Sequence, residues 1–233
     1  MSTNKRPYTV AIILAGGAGA RFSREKTKQK FEIDGISVLR RTLLTFDRCS
    51  FIDEIVLAYR LGEEDFAKEA SFGLNKKITL TVGGGCRAES ARLAFLRVAE
   101  RSSVVMIHDA ARCLITDADI IAVANACYES GAASAALPIT DTVKRLSSGL
   151  ISGTVDREEL ITVATPQAFS YELYERALDF PDTPDITDDN MRIERLGVKI
   201  TPVYTSKENI KITTKEDIAL AEFILKAIEK RTF

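Results

Sequence analysis

The stretch Val10-Ala-Ile-Ile-Leu-Ala-Gly-Gly-Ala-Gly-Ala-Arg21 decides the fold, because an apolar run ends directly in a glycine-rich turn. The apolar run is typical of a buried strand. Glycine has no Cβ and accepts positive φ, so the turn lets backbone N–H groups approach an anion closely. Arg21 adds a planar, permanently charged group that matches phosphate oxygens. The stretch therefore indicates a nucleotide-handling protein, although a tight strand-to-helix turn without a ligand has the same pattern.

The spacing of the glycines excludes two common nucleotide-binding motifs. The dinucleotide-binding motif G-x-G-x-x-G/A, counted from Gly17, places Phe22 at its last position. The P-loop motif G-x-x-x-x-G-K-[ST] occurs nowhere in the 233 residues. The glycine turn therefore belongs to neither class.

Composition limits the possible partners and the cellular compartment. The chain has 32 Lys and Arg against 33 Asp and Glu, so no global field attracts it to nucleic acid or to a membrane. Its four cysteines form no CxxC pair and no zinc-like spacing, which fits a reducing cytosol. The first residues contain no hydrophobic segment, and no apolar run approaches the length of a membrane span. We expect a cytoplasmic protein with neither a nucleic-acid nor a membrane partner.

A single histidine, His108, restricts the chemistry further. A metal site with several histidines is excluded, and a Ser-His-Asp triad would have to use this one residue. We interpret His108 as a structural residue at the end of a strand. The chemistry is then expected to depend on Arg, Lys, Asp and a hard cation.

Apolar runs alternate with amphipathic segments, which predicts an α/β fold with a mostly parallel sheet covered by helices. The predicted strands are Tyr8–Leu14, Glu54–Tyr59, Ile78–Val82, Val104–His108, Ala132–Leu137 and Val198–Val203. The predicted helices are Ser37–Arg48, Glu63–Ser71, Ala88–Arg101, Asp117–Ser130, Tyr171–Leu178, Asp188–Leu196 and a last helix opened by the capping box Thr214–Asp217.

Residues 138–165 interrupt this pattern and predict an arm that extends from a single domain spanning residues 1–233. Thr140–Leu146 and Leu150–Val155 alternate around a Ser-Ser-Gly turn, as a hairpin does. An isolated hairpin is marginal in water, so we expect it to pair with something else, such as a second subunit.

Charged and glycine residues follow several predicted strands at their carboxyl ends, where open α/β sheets bind ligands. They are Arg21, Lys28, Gly83–Gly85, Arg87, Ser90, Asp109, Arg112 and Lys211. Asp109 ends an apolar strand, where an unpaired charge is costly, and Mg²⁺ bound together with substrate phosphates would offset that cost. The alternative is that Asp109 caps the next segment or pairs with Arg112. Lys28 has an alternative too, because the basic run 24–30 is also typical of a solvated loop.

A series of motifs resembles the sugar and alditol nucleotidyltransferases, and most of all the 2-C-methyl-D-erythritol 4-phosphate cytidylyltransferase family. The motifs are Ala15-Gly-Gly-Ala-Gly-Ala-Arg21, Lys28-Gln29, Gly84-x-x-Arg87-x-x-Ser90, His108-Asp-Ala-Ala-Arg112, Asp141-Thr-Val-Lys144, Thr154-Val-Asp-Arg157, Thr165-Pro-Gln167, Thr187-Asp-Asp189 and Asn209-Ile-Lys-Ile-Thr213. The resemblance implies a Rossmann-like three-layer nucleotidyltransferase fold that uses the β-arm for dimerisation.

The resemblance also implies roles for individual residues. The implied catalytic residues are Arg21, Lys28, Arg157 and Lys211. Those implied to bind CTP are Ala15, Gly16, Gly17, Gly19, Gly84, Gly85, Ser90 and Ala110. Those implied to bind the alditol phosphate are Asp109, Arg112, Thr142, Arg157, Thr187 and Lys211, with Mg²⁺ carried by Asp109. In the family, the arm with Thr142 and Arg157 completes the site of the other subunit of a homodimer.

Some positions depart from the family pattern. Gly85 stands where an acidic residue is usual, which weakens the implied cytosine or ribose contact, and Thr27 and Lys30 stand where proline and an aromatic residue are typical. Cys113 replaces a proline. A ribitol 5-phosphate cytidylyltransferase and a catalytically silent nucleotide-binding regulator are the alternatives, although retention of Arg21 and Lys28 argues against the regulator.

Overall fold

The computed structural model describes residues 6–16, 27–183 and 185–231. A seven-stranded sheet forms the centre of the molecule, and its strands lie in the order β11-β7-β10-β6-β1-β4-β5. The strands of this sheet are β1 (Thr9–Leu14), β4 (Glu54–Tyr59), β5 (Lys77–Val82), β6 (Val104–Asp109), β7 (Ala132–Pro138), β10 (Ile161–Ser170) and β11 (Thr201–Tyr204). The remaining strands form two hairpins, β2 (Glu32–Ile33) with β3 (Ile36–Ser37), and β8 (Lys144–Ser147) with β9 (Leu150–Thr154).

Helices cover the sheet, as the alternating pattern predicts. They are α1 (Val38–Arg48), α2 (Glu64–Ser71), α3 (Arg87–Phe95), α4 (Asp117–Ser130), α5 (Tyr171–Ala177), α6 (Asn190–Glu194) and α7 (Glu216–Arg231). No helix in the described part of the chain is both long enough and apolar enough to cross a membrane.

Strand β1 shows why the sheet is a middle layer. Its six residues are all buried, and successive side chains point to opposite faces of a strand. Ala11 and Ile13 belong to one hydrophobic cluster, whereas Val10 and Ile12 belong to another. Parallel pairing with β4 and with β6 places the ends of these strands at one edge. The α/β class and the mostly parallel sheet are therefore confirmed.

Local sequence sets most helix limits. Ser37 caps α1 by accepting a hydrogen bond from the Arg40 N–H at 3.2 Å. Helix α4 has the predicted bounds, because Gly131 ends it in the left-handed region at φ 80°. The prediction for α3 was wrong at its end. This helix stops at Phe95, and turns after it bring the Ser103 N–H to the Tyr8 carbonyl, where β6 begins.

The sequence analysis missed β10, which lies antiparallel between β6 and β7. Pro166 lies inside it, and proline inside a run argues against a central strand. The pairing with β7 accommodates the proline, because its register shifts between Val163 and Gln167. Residues 161–165, which we predicted to belong to the arm, thus form the beginning of a central strand.

The predicted hairpin is present, although its strands are shorter than predicted. Ser148 and Gly149 both have positive φ, 49° and 80°, which matches the two-residue turns that fit the twist of a hairpin. All residues of β8 and β9 are exposed, and these two strands form a separate sheet.

Candidate active site

A cleft of about 740 Å³ opens at the carboxyl ends of β1, β5 and β6. It brings together seven of the predicted site residues, namely Gly16, Lys28, Gly84, Gly85, Ser90, Asp109 and Lys211. Its other lining residues are Leu14, Gln29, Arg60, Leu61, Gly83, Cys86, Arg87 and Ala111. Most of the residues predicted from strand ends therefore converge, whereas Arg112 does not line this cleft and Arg21 lies outside the described residues.

One wall of the cleft is the turn between β5 and α3. The Gly84 N–H donates to Ser90 Oγ at 3.0 Å, and the Gly85 N–H donates to Glu89 Oε2 at 2.7 Å. A Cβ at position 84 would clash with the Glu89 side chain. A Cβ on Gly16 would approach Ser90 Oγ to 3.6 Å. The Glu89 and Ser90 side chains thus pack directly against the glycine backbone of this wall.

Asp109 lies at the end of β6 between two cations. Its Oδ2 is 2.7 Å from Lys211 Nζ, and its Oδ1 is 3.3 Å from Arg87 Nε. Burial alone would raise the pKa of this carboxyl, but Arg87 and Lys211 hold the pKa well below its usual range. The alternative in which Asp109 pairs with Arg112 is wrong for the side chains, since the Arg112 guanidinium donates instead to the Asn209 carbonyl at 3.0 Å.

Arg87 lines the cleft, and its side chain is 21% exposed. Its Nη1 donates to Asp189 Oδ2 at 2.6 Å, and Asp189 also accepts the Tyr174 hydroxyl at 2.6 Å. Burial opposes the charge of Arg87, but the Asp189 and Asp109 carboxylates raise its pKa above the ordinary value. The sequence analysis named Arg87 and Asp189 in separate motifs, but it did not predict that they pair across 102 residues.

His108 is fully buried and structural, as interpreted from the sequence. Burial lowers its pKa to about 4, so the imidazole is neutral near pH 7. The Arg112 carbonyl can only accept, so Nε2 carries the proton and donates to it at 3.1 Å. Nδ1 then accepts from the Thr165 hydroxyl at 3.1 Å, and this hydroxyl oxygen accepts the Asp109 N–H at 3.1 Å. His108 therefore fixes the backbone on both sides of Asp109.

Lys28 begins a short 3₁₀ turn, Lys28–Lys30, and faces the cleft. The segment that carries Lys211 is held close by, because the Ile212 N–H donates to the Ala111 carbonyl at 2.8 Å. Asn209 adds a side-chain hydrogen bond to the Thr165 carbonyl at 2.9 Å. Two lysines thus reach one cleft from opposite ends of the sequence.

Several predicted site residues do not line this cleft. Ala15 and Ala110 lie behind it, with their N–H groups bonded to the Ala58 and Leu14 carbonyls. Thr142, Arg157 and Thr187 are exposed elsewhere on the chain. Gly17, Gly19 and Arg21 lie outside the described residues, so their roles stay predictions.

The donor set can be tested against a divalent cation. Within residues 6–16, 27–183 and 185–231, no three or more His, Cys, Asp or Glu side chains cluster in a way that could hold a metal ion. Asp109 supplies one hard carboxylate oxygen donor at the cleft, and Mg²⁺ needs only one or two carboxylates when substrate phosphates complete its shell. Both Asp109 oxygens are paired here with Lys211 and Arg87, so the described residues fit a cation that arrives with a nucleotide once Lys211 leaves Oδ2.

Comparisons with known proteins converge on one family. Residues 9–227 match the family model described as IspD: 2-C-methyl-D-erythritol 4-phosphate cytidylyltransferase. The enzyme of that name from Syntrophus aciditrophicus is 39% identical over 97% of this chain and 99% of its own. The one from Alkaliphilus oremlandii is 36% identical over 94% and 95%. The crystal structure of 4-diphosphocytidyl-2C-methyl-D-erythritol synthase from Anaerococcus prevotii superposes with a TM-score of 0.82 at 30% identity, over 94% of this chain and 99% of its own.

Proposed function

Because this chain belongs to the 2-C-methyl-D-erythritol 4-phosphate cytidylyltransferase family, we propose that its cleft transfers a cytidylyl group from CTP to 2-C-methyl-D-erythritol 4-phosphate. The products are 4-diphosphocytidyl-2-C-methyl-D-erythritol and pyrophosphate. The observation that carries the proposal is the convergence of Lys28, Lys211 and Asp109 beside a glycine wall in one cleft.

The reaction is an in-line displacement at phosphorus. An oxygen of the substrate phosphate attacks the α-phosphorus of CTP and forms a new P–O bond. The bond from the α-phosphorus to the bridging oxygen breaks, and pyrophosphate leaves with that electron pair. Catalysis of such transfers rests on positioning and on neutralising charge at the equatorial oxygens. Lys28 and Lys211 supply that charge, together with Arg21 as implied by the family resemblance.

Recognition of CTP is assigned to the turn between β5 and α3. Ser90 Oγ accepts the Gly84 N–H and donates to the Cys86 carbonyl at 2.8 Å, so the hydroxyl has a fixed orientation. Because side chains are absent at Gly16, Gly84 and Gly85, a ring and its ribose can approach the backbone closely. The usual acidic side chain is absent at Gly85, and the carboxylate of Glu89 lies beside this position instead, where it accepts the Gly85 N–H at 2.7 Å.

Asp109 is the residue that would hold Mg²⁺, with the phosphate oxygens of CTP. When bound, the cation adds positive charge at the phosphates. Lys211 is the exchangeable partner of Asp109, because its side chain is 42% exposed, against 21% for Arg87. Lys211 is thus able to turn from Asp109 to a phosphate, while Arg87 stays with the carboxylate.

Binding of the alditol phosphate is assigned to two subunits of a homodimer. Apolar side chains are exposed along the hairpin and its base, with Leu146 68%, Leu150 74%, Ile151 69% and Val163 40% exposed. Association of two copies would cover them. Arg157 and Thr142 lie on the same arm, so the arm would bring them to the partner's cleft, where Arg112 and Thr187 complete the pocket as the family resemblance implies.

The test is release of pyrophosphate from CTP with 2-C-methyl-D-erythritol 4-phosphate or ribitol 5-phosphate. We expect turnover with the former and little with the latter. A clear preference for ribitol 5-phosphate would overturn the substrate assignment. No release with either alditol phosphate would instead support a silent nucleotide-binding regulator.

A further inference from the structure

Glu63 directs its carboxylate to the segment that carries Lys28 rather than to its own helix. It is the N-cap residue of α2, yet its side chain accepts no hydrogen bond from that helix. Instead its Oε1 accepts the Thr27 hydroxyl at 3.1 Å and lies 3.2 Å from Lys30 Nζ. Short side chains are preferred at an N-cap because they reach the first N–H groups. Glutamate at this position is therefore explained by its contacts with Thr27 and Lys30 and not by helix capping.

These contacts fix the two residues that flank the 28–29 dipeptide. The Lys30 N–H donates to the Thr27 carbonyl at 3.0 Å, which closes the 3₁₀ turn. The Lys30 ammonium also lies 5.2 Å from the centre of the Phe66 ring, a favourable cation–π distance. Both ends of the turn are thus tied to one carboxylate on α2, with Lys28 between them.

The same two positions are where this chain departs from its family, which typically has proline and an aromatic residue there. Thr27 has φ −70°, a value that proline would enforce covalently. Here Glu63 restrains both positions, through a hydrogen bond from Thr27 and an ion pair with Lys30. A partly exposed ion pair contributes little to global stability, but a small displacement of a charged group costs much of a reaction rate.

We propose that Glu63 is a positioning residue for Lys28, an inference that rests on the proposed function of Lys28 in charge neutralisation. Glu63 does not touch substrate. It fixes the 3₁₀ turn so that the Lys28 ammonium stays directed into the cleft.

The experiment is a double-mutant cycle of steady-state kinetics with Glu63→Ala, Lys28→Ala and their combination. We expect Glu63→Ala to lower kcat about tenfold and to change either KM by less than about twofold, because positioning is lost and ground-state binding is not. Glu63→Ala should lower kcat no further in the Lys28→Ala background. Glu64→Ala is the matched control, since Glu64 is exposed in the same helix and pairs only with Lys68 in the described part. It should keep the original kcat.

An equal kcat for Glu63→Ala and Glu64→Ala would overturn the proposal, and so would a tenfold drop that persists when Lys28 is absent. If Glu63→Ala does not fold, Glu63→Gln tests the same point, because it keeps a hydrogen-bond acceptor for Thr27 and loses only the ion pair. We expect this variant to lower kcat about threefold with unchanged thermal unfolding. Failure of the proposed function is distinguishable, because it would show as no turnover in the unchanged chain or as full activity in Lys28→Ala.

Discussion

The carboxyl-terminal edge of the sheet around Asp109 and the hairpin β8–β9 differ in which side chains they bury and which they expose. At the edge, charges are buried, and Arg87 lies between two carboxylates that belong to the same chain. In the hairpin, large apolar side chains such as Leu150 are exposed, and no other strand of the described chain pairs with it. The edge obtains its counter-charges from within one chain, whereas the hairpin leaves large apolar side chains uncovered by the described part of its own chain. A change at the buried Arg87–Asp189 pair should therefore act on folding. Under the proposed dimerisation, a change in the arm should act on assembly and activity.

The largest expected effect is on the free energy of unfolding, and two matched arginine substitutions test it. Arg87→Met removes the nearer cation of the buried Asp189, at 2.6 Å, and leaves only Arg192 at 4.0 Å among the described residues, so the free energy of unfolding should fall by about 3–5 kcal/mol. Arg157→Met removes an exposed arginine, so the same quantity should change by less than about 0.5 kcal/mol while kcat/KM falls. Urea unfolding followed by circular dichroism measures both. Equal losses of stability in Arg87→Met and Arg157→Met would contradict the comparison. Arg87→Lys is a further control, and it should lose less stability than Arg87→Met because it keeps the charge.

The next effect concerns Lys28 itself. Removing one preorganised donor from a transition state costs on the order of 10²–10³ in kcat, and we expect that loss for Lys28→Ala. Release of pyrophosphate under saturating substrates gives the rate. Lys68→Ala is the control, because Lys68 is exposed in α2 and pairs with Glu64. A loss of only a few fold would place Lys28 in a solvated basic run.

A smaller effect is expected from mixed dimers, which test whether the arm acts on its partner. Random mixing of Lys28→Ala and Arg157→Ala subunits should restore about a quarter of the original activity, because half the dimers carry one intact site of two. Each variant alone should stay low. If verified mixed dimers show no recovery, Arg157 serves its own subunit.

The smallest effect is on thiol reactivity. Cys86 lines the cleft and is half-buried, whereas Cys49, Cys113 and Cys127 are buried. Burial raises the pKa of Cys113 to about 11 and that of Cys127 to about 12, so these thiols are neutral near pH 7. Mass spectrometry after brief alkylation should find one label, at Cys86, and CTP should slow its appearance. Rapid labelling at a second cysteine would show that the clusters around the sheet open readily.

Sequence alone predicted the parts of the fold that depend on local pattern. The strands from Thr9, Glu54 and Val104 are continuous apolar runs, which only a sheet covered on both faces buries. The strand from Ile161 was missed, because Pro166 and alternating polar residues hide it. Its burial becomes evident only when β6 and β7 are seen on either side.

The candidate site also has a part that the sequence predicts and a part that it does not. Asp109, Gly84 and Lys211 follow strands, so their convergence follows from the topology of an open sheet. The Arg87–Asp189 pair joins residues 102 positions apart, and Asp189 lies just before the short helix α6. No period or spacing encodes such a pair, because its geometry is set by how α6 packs against the sheet. The contacts of Glu63 escaped prediction for the same reason.

Strand β10 has a practical consequence for protein engineering. Its first residues, Ile161 and Val163, are partly exposed, whereas Ala164 is buried and the Thr165 hydroxyl accepts the Asp109 N–H. Leu137 and Thr162 are register partners across β7 and β10, so a two-residue turn between them would close the sheet without the arm. A designer who removes the arm in this way keeps three residues, 162–164, between the new turn and Thr165, whose side-chain hydroxyl supports the Asp109 backbone.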